Sequence, residues 1–343
     1  MSLVSRLLDL LVGAKAPGST TEQPISAPAR AEIRPATPNA SVQNHWLTVQ
    51  HPAFFGKARF SPNKRWIVGC NDSDGNGKGG FREGGNGRVV LVDQQADNVL
   101  HELTCFARPT DAAVADPGTY IVLDSGFGSA LQGDIVALDI EGHERFRRRY
   151  NANVFNLGLS KCGRYAAIQT ASAPNDDGNL LEILDLDSGA AVFGTSPVTG
   201  WADKYSFKVD AKGRLAALIV EHKHLGRFRY SGAGQFQDLE AFQAARLDKG
   251  DYATKIMAAR DLLKNSATPE SAHRALNAVQ AALAEGANDR PDWAAEARRA
   301  QGEAYELLDQ LPEALEAYDR ALSLDPKIGV QRRASSIRKK LAL

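Results

Sequence analysis

Residues 72–83 read DSDGNGKGGFRE and place oxygen-bearing side chains at the spacing of a calcium-binding loop. The matching pattern is D-x-[DN]-x-[DN]-G-x5-E, in which alternate residues turn their oxygens toward one centre. The ligands would be the side chains of Asp72, Asp74, Asn76 and Glu83, with the carbonyl of Lys78 beside them. Calcium takes about six to eight oxygen ligands on a flexible loop, so these residue types suit that ion.

The surroundings of this loop argue against tight calcium binding. The pattern resembles the loop of EF-hand proteins, which lies between two helices and carries an aliphatic residue where this chain has Gly79. Strands are predicted on both sides here, so the glycine-rich loop must order itself at a cost of roughly 1–2 kcal/mol per residue. We therefore predict no cofactor and a loop that contacts a partner, with calcium as the alternative.

The arginine-rich segments and the histidine pair are better explained by structural roles than by binding or catalysis. Arginine alternates with aromatic residues in RFRRRY (145–150) and GRFRY (226–230), a pattern that suits single-stranded nucleic acid but also charged outer strands. We favour outer strands. His222 and His224 have no third metal ligand nearby in sequence, which favours surface histidines. The sequence contains no nucleophile-elbow, zincin or Cys-His motif, so we predict a protein that is not an enzyme.

Composition limits the class of protein. The chain has 343 residues and a formal net charge of zero, which leaves room for two or three domains and no global field toward nucleic acid. Cys70, Cys105 and Cys162 lie far apart, which disfavours a disulfide framework or a zinc site and predicts a cytoplasmic protein. No run approaches the roughly 20 apolar residues of a membrane helix.

Residues 1–15 predict an amphipathic docking helix, because Leu3, Leu7, Leu10 and Leu11 recur at helical spacing. A frayed terminus is the alternative. Residues 16–43 are rich in Pro, Ala, Ser and Thr and predict a disordered linker. We therefore expect that residues 1–43 can be removed without unfolding the rest.

A repeat of about 46 residues occupies residues 44–237. Each copy contains a tight turn followed by an apolar strand: RFSPNKRWIVG, VADPGTYIVLD, LSKCGRYAAIQ and VDAKGRLAALI. A second strand then opens on Gly87, Gly133, Gly178 and Gly226, at spacings of 46, 45 and 48 residues. Repeats of this length hold three or four strands and are typical of β-propeller blades.

These motifs resemble WD-repeat and quinoprotein-like β-propellers over about residues 45–237. The resemblance implies four blades that close alone, with HWLTVQ (45–50) completing the last blade, or a half-ring that pairs with another half-ring. The WD dipeptide is absent, and the resemblance brings no catalytic residue with it. It places the loop at 72–83 between the second and third strands of the first blade.

In residues 238–343 the apolar residues recur with the period of a helix, and we predict six helices. Residues 295–328 resemble a tetratricopeptide repeat, with signature residues Gly302, Tyr305, Ala314, Tyr318, Ala321 and Pro326. A degenerate copy precedes it, with Ala275, Val279 and Ala282. The resemblance implies an α-helical array with a short groove. The basic last helix, 329–342, is expected to act as a cap.

The fold class is therefore all-β plus all-α, a four-bladed or half-ring propeller followed by a tetratricopeptide-like array. We predict a protein–protein interaction scaffold, with a homo-oligomer through an incomplete propeller as one option; the alternative is a propeller hydrolase or lactonase with calcium in its loop face. A channel lined by several Asp, Glu, Asn or His side chains would favour that enzyme. The predicted partner contacts are Lys78, Phe81, Arg82, Arg88, Leu7 and Leu11.

Overall fold

A computed structural model describes residues 38–74, 79–80 and 82–342. The chain divides into two units, residues 1–37 and residues 38–343, and the described residues belong to the second. The predicted docking helix, including Leu7 and Leu11, lies outside the described residues, as does the linker up to residue 37.

The described residues up to 237 form four antiparallel sheets in which strands follow one another in chain order. The first has the order β1 (Ala40–Gln43), β2 (Trp46–Val49), β3 (Phe54–Phe60), β4 (Trp66–Asn71), β5 (Arg88–Asp93), β6 (Asn98–Leu103). The second contains β7 (Pro109–Val114), β8 (Tyr120–Asp124), β9 (Gly133–Leu138) and β10 (Glu144–Tyr150). The predicted propeller-like sheets are thus confirmed by strand pairing.

The remaining two sheets repeat the same arrangement. The third contains β11 (Val154–Leu159), β12 (Tyr165–Thr170), β13 (Leu181–Asp185) and β14 (Ala190–Thr195). The fourth has only three strands, β15 (Lys204–Val209), β16 (Leu215–His222) and β17 (Gly226–Ser231). The loop at 72–87 joins β4 to β5, as predicted.

A tight turn joins the first repeat strand to the second in every sheet. Its last residue has a positive φ, which is 94° at Gly118, 80° at Gly163 and 75° at Gly213. Glycine adopts this backbone conformation without steric cost. The first sheet has Lys64 at the same position with φ 64°, and the backbone N–H of Lys64 donates to Ser61 O at 2.9 Å. The turn is therefore common to all four copies even where glycine is missing.

Apolar side chains fill the layers between consecutive sheets. Val68 and Val136 lie in the first layer, Ile121 and Ile168 in the second, and Leu218 in the third. These residues come from strands that are buried on both faces, which explains their continuous apolar sequence.

Both ends of the stack are covered by other parts of the chain. At the first sheet, β1 and β2 bring Val42, Leu47 and Val49 onto the apolar face formed by Ile67 and Val90. At the fourth sheet, the first helix packs Phe242 and Ala245 against β16 and β17. No contact comparable to those between neighbouring sheets joins the fourth sheet to the first within the described residues.

The six predicted helices are present, with a 3-10 turn at Ala287–Asp289 between the third and the fourth. They are α1 (Leu239–Lys249), α2 (Tyr252–Asn265), α3 (Pro269–Ala284), α4 (Pro291–Leu307), α5 (Leu311–Leu324) and α6 (Gln331–Lys340). Gly302 and Tyr318 meet where α4 crosses α5, and a Cβ at Gly302 would lie 2.4 Å from the Tyr318 ring. This is the close approach that the sequence predicted.

Two expectations about the start of the domain were wrong. Ala40–Gln43 form β1 rather than the end of a linker, because Asp97 accepts hydrogen bonds from the backbone N–H groups of Asn39 and Ala40. HWLTVQ does not complete the last sheet. Its strand β2 pairs with β3, since a short hairpin between neighbouring segments is easier to close than a contact across the whole repeat domain.

Candidate protein-binding site

A groove of about 610 Å³ opens between helices α2, α4 and α6. Its walls carry charged side chains of both signs around three apolar side chains. The lining residues are Met257, Arg260, Asp261, Leu263, Lys264, Arg299, Glu303, Glu306, Leu307 and Arg333.

Helical spacing explains why these side chains share one surface. On α4, Arg299, Glu303 and Glu306 are separated by four and then three residues, which places them on one face of the helix. The opposite face of α4 is buried and consists of small residues such as Ala297 and Ala304. The sequence prediction did not include these groove residues, because it relied on the signature residues of the repeat. The charged side chains that recur every three or four residues along α4 were the signal that could have found them.

Ion pairs link the walls of the groove. Arg299 Nε lies 3.1 Å from Glu303 Oε1, and Arg299 Nη1 donates to Ile328 O at 3.1 Å. Arg333 of α6 approaches Glu306 at 3.4 Å and donates to the Tyr318 hydroxyl at 3.2 Å. That hydrogen bond raises the pKa of Arg333. Glu303 and Glu306 of α4 are therefore each already paired with an arginine.

Two cations of α2 stand at the other wall. Arg260 Nη1 donates to Glu296 Oε2 at 2.7 Å, while the buried Nε of Arg260 has no hydrogen-bond partner among the described residues. Lys264 is exposed and makes no ion pair within the described part of the chain. Because the free Nε of Arg260 is buried, Lys264 is the accessible free donor on this wall, beside the apolar side chains of the groove. An ammonium next to apolar side chains suits a polypeptide with carbonyl or carboxylate acceptors.

The long loop of the first sheet differs from the expectation. Arg82 is only 8% exposed and donates to the carbonyls of Gly85 at 3.0 Å and Ala107 at 2.7 Å. It closes the loop onto the domain instead of facing a partner. Arg88 forms an ion pair with Glu102 on the neighbouring strand. Lys78 and Phe81 lie outside the described residues.

The calcium candidates are only partly described. Asp72 Oδ2 accepts a hydrogen bond from the backbone N–H of Gly80 at 2.8 Å, a contact that shapes the loop without an ion. Glu83 is exposed. Asn76 and Lys78 lie outside the described residues. The described residues contain no group of three His, Cys, Asp or Glu side chains arranged for a metal ion.

The inner strands carry one charged cluster. Asp111 on β7 accepts hydrogen bonds from Lys57 at 2.7 Å and from Arg59 at 2.9 Å. The amide of Asn156 on β11 donates to Ala202 O. The other inner positions include Ala113, Leu157 and Gly158. The inner strand β15 adds Lys204, Ser206 and Lys208. The inner strands of the described residues thus carry one acid, the paired Asp111, together with basic residues.

The other sequence candidates occupy structural positions. RFRRRY lies on β10, the outer strand of the second sheet, and Arg149 pairs with Asp134 at 2.7 Å. His222 was expected at the surface, but it is buried against Phe228 and Phe242 with ring centroids 6.0 and 6.4 Å away. The reason is that α1 covers the end of β16. The three cysteines are free, and Cys70 is buried.

None of the helices in the described residues has the length and apolar character to cross a membrane.

Comparison with known proteins returns similarity to solved structures only. No protein-family model and no curated protein match the sequence. The β-propeller domain of Myceliophteria thermophila Cps50 (Swd1) is 12% identical with a TM-score of 0.33, covering 56% of this chain and 60% of that one. A chain of the mitotic checkpoint complex is 12% identical with a TM-score of 0.35, covering 55% of this chain and 56% of that one.

Kuenenia stuttgartiensis hydrazine synthase is 13% identical with a TM-score of 0.31, covering 54% of each chain. The protein thus spans between about half and three fifths of the length of the structures it matches. Identities and scores this low carry no argument about function, so the site must be interpreted from its own geometry.

Proposed function

We propose that this protein is a non-catalytic scaffold that binds a partner polypeptide in the groove between α2, α4 and α6. The observation that carries the proposal is the groove itself, with paired acids, the exposed Lys264 on α2 and an apolar floor. The tetratricopeptide-like spacing of α4 and α5 agrees with it, since helical repeats work through extended surfaces. The four sheets form a half-ring that supports this array through α1.

The loop joining β4 to β5 serves as a second contact in this proposal. Its buried Arg82 holds the base of the loop, while the exposed Glu83 remains accessible. The inner face, where Asp111 is neutralised by Lys57 and Arg59, supports a scaffold rather than a hydrolase. We also retain a cytoplasmic location as a prediction from the three unpaired cysteines.

Affinity purification of the full chain with mass spectrometry tests the groove. Met257 on α2 is 40% exposed and faces the groove, whereas Leu324 on α5 is 42% exposed and does not line it. We expect Met257→Glu to lose the partner and Leu324→Glu to keep it, because only the first places a charge on the apolar floor. Retention of every partner by Met257→Glu would refute the groove assignment.

Deletion of residues 75–86 tests the loop in the same purification. If the loop contacts the partner, the captured amount falls. Full capture by the deletion variant, with an unchanged melting temperature, would show that this segment is only a turn.

A further inference from the structure

The outer strand of the third sheet, β14, differs from the other outer strands in having no charged residue. It reads AAVFGT and lies within an uncharged run from Ser188 to Ala202. The outer strand of the second sheet carries four arginines and Glu144, the outer strand of the fourth carries Arg227 and Arg229, and that of the first carries Glu102. Charged side chains are the usual protection of an exposed sheet edge against pairing.

The free edge of β14 is accessible. In the third sheet the strand pairs with β13 on one side, and no described strand pairs with the other side. Ala190, Ala191, Val192 and Gly194 are exposed, and three of these four residues are small. Small side chains allow a second backbone to approach closely.

The other uncharged edge strands are covered. The edge of β1 is met by Asp97, whose carboxylate accepts from the N–H of Ala40 at 2.9 Å. The inner strand β11 packs against β7 and β15 of the neighbouring sheets. A bulge at Val192 interrupts the pairing with β13, but the outer strands of the first and second sheets have similar irregularities. The missing charge is therefore what distinguishes β14.

We propose that β14 is a self-association edge, where a second copy of this chain adds its own β14 in antiparallel orientation. An edge of unpaired N–H and C=O groups is satisfied by another strand. Pairing with the outer strand of the second or fourth sheet would bring arginines against the apolar edge and desolvate them. Two β14 strands related by a two-fold axis place only uncharged residues opposite each other and satisfy both edges at once.

This contact is distinct from the closure of an incomplete propeller. The end faces of the sheet stack are covered by the β1–β2 hairpin and by α1, so a second half-ring has no free end face to join. The proposal does not rest on the groove between α2, α4 and α6, because Val192 lies in the third sheet and Met257 in the helical array. Either proposal can fail without the other.

Sedimentation velocity on the full chain over a dilution series tests the edge. We expect the wild-type protein to dimerise and Val192→Lys to raise the dissociation constant by on the order of tenfold or more, because like charges opposite each other across strands are destabilising. Val209→Lys is the matched control, since Val192 and Val209 are both strand valines with exposures of 37% and 39%. It should leave the dimer unchanged.

A mixture of Val192→Lys and Val192→Asp gives an independent test. Each variant alone should dimerise more weakly than the wild type, and their mixture should recover a tighter heterodimer, because opposite charges then face each other near the centre of the paired strands. Monomeric wild-type protein at every concentration, or equal weakening by Val192→Lys and Val209→Lys, would overturn the proposal. Failure of the mixture to associate would also overturn it.

Discussion

Tyr318 fills the contact between α4 and α5. It is fully buried, its ring contacts Gly302, and its hydroxyl donates to Glu306 at 2.9 Å. We expect Tyr318→Ala to lower the free energy of unfolding of the helical part by about 3–5 kcal/mol, because it leaves a cavity between two helices. Chemical denaturation followed by helical circular dichroism measures this loss.

The matched variant Tyr318→Phe separates packing from hydrogen bonding. It keeps the ring and should cost only about 1 kcal/mol for the lost hydroxyl contacts to Glu306 and Arg333. An unchanged midpoint for Tyr318→Ala would show that the α4–α5 packing is incorrectly assigned.

His222 makes the junction between the fourth sheet and α1 sensitive to acid. Burial lowers its pKa from the ordinary value of about 6.5, and the Asp203 carboxylate opposes this only in part. The unfolded state therefore binds a proton more readily, and stability falls as the pH drops through about 6.5. We expect His222→Phe to lose less stability than the wild type between neutral pH and about pH 5.5.

Denaturation midpoints at the two pH values measure this difference. The control is His224→Gln, two residues away and exposed, which should keep the wild-type pH dependence. The same pH dependence in His222→Phe and in the wild type would show that acid acts elsewhere.

The loop between β4 and β5 is the element to which the calcium prediction applies. We expect calorimetric titration of calcium into chelator-treated protein to find no binding tighter than about 1 µM, because strands rather than helices flank the loop and its glycines must be ordered. A tighter constant that Glu83→Ala abolishes would establish a calcium site and contradict this expectation.

Removal of the strand β1 should lower the melting temperature of the protein. Deletion of residues 1–43 removes Ala40 and Val42 from the first apolar face and leaves Asp97 without its backbone partners. We expect this variant to melt several degrees below one lacking residues 1–37, since about 1 kcal/mol shifts the melting temperature by a few degrees. Equal melting temperatures would show that β1 contributes nothing.

At the scale of the whole molecule, α1 joins the sheets to the helices. Phe242 is buried at the fourth sheet and meets Phe228 edge-to-face, with ring centroids 5.0 Å apart. We expect Phe242→Ala to destabilise the fourth sheet by about 3–5 kcal/mol. It should also speed amide exchange in β16 and β17, because their apolar face loses its cover.

Leu239→Ala is the control for this variant, since Leu239 lies on the same helix and is exposed. It should leave exchange in the fourth sheet unchanged. Slow exchange in Phe242→Ala would mean that the sheets do not depend on α1.

Local patterns in the sequence determined the elements of this protein. The spacing of Gly87, Gly133, Gly178 and Gly226 located β5, β9, β13 and β17, because alternation and tight turns depend on residues close in sequence. Helical periodicity located all six helices for the same reason. The signature pair Gly302 and Tyr318 even predicted one contact between helices.

Only the tertiary structure decided which elements meet. It paired β2 with β3, buried Arg82 and His222, and brought Arg333 of α6 to Glu306 of α4. The burial of Arg82 and His222 and the contact of Arg333 with Glu306 depend on partners distant along the chain or on cover supplied by another element, whereas the pairing of β2 with β3 reflects competition between a near and a distant sheet. Burial and charge pairing are properties of the assembled surface, whereas turns and periodicity are properties of neighbouring residues.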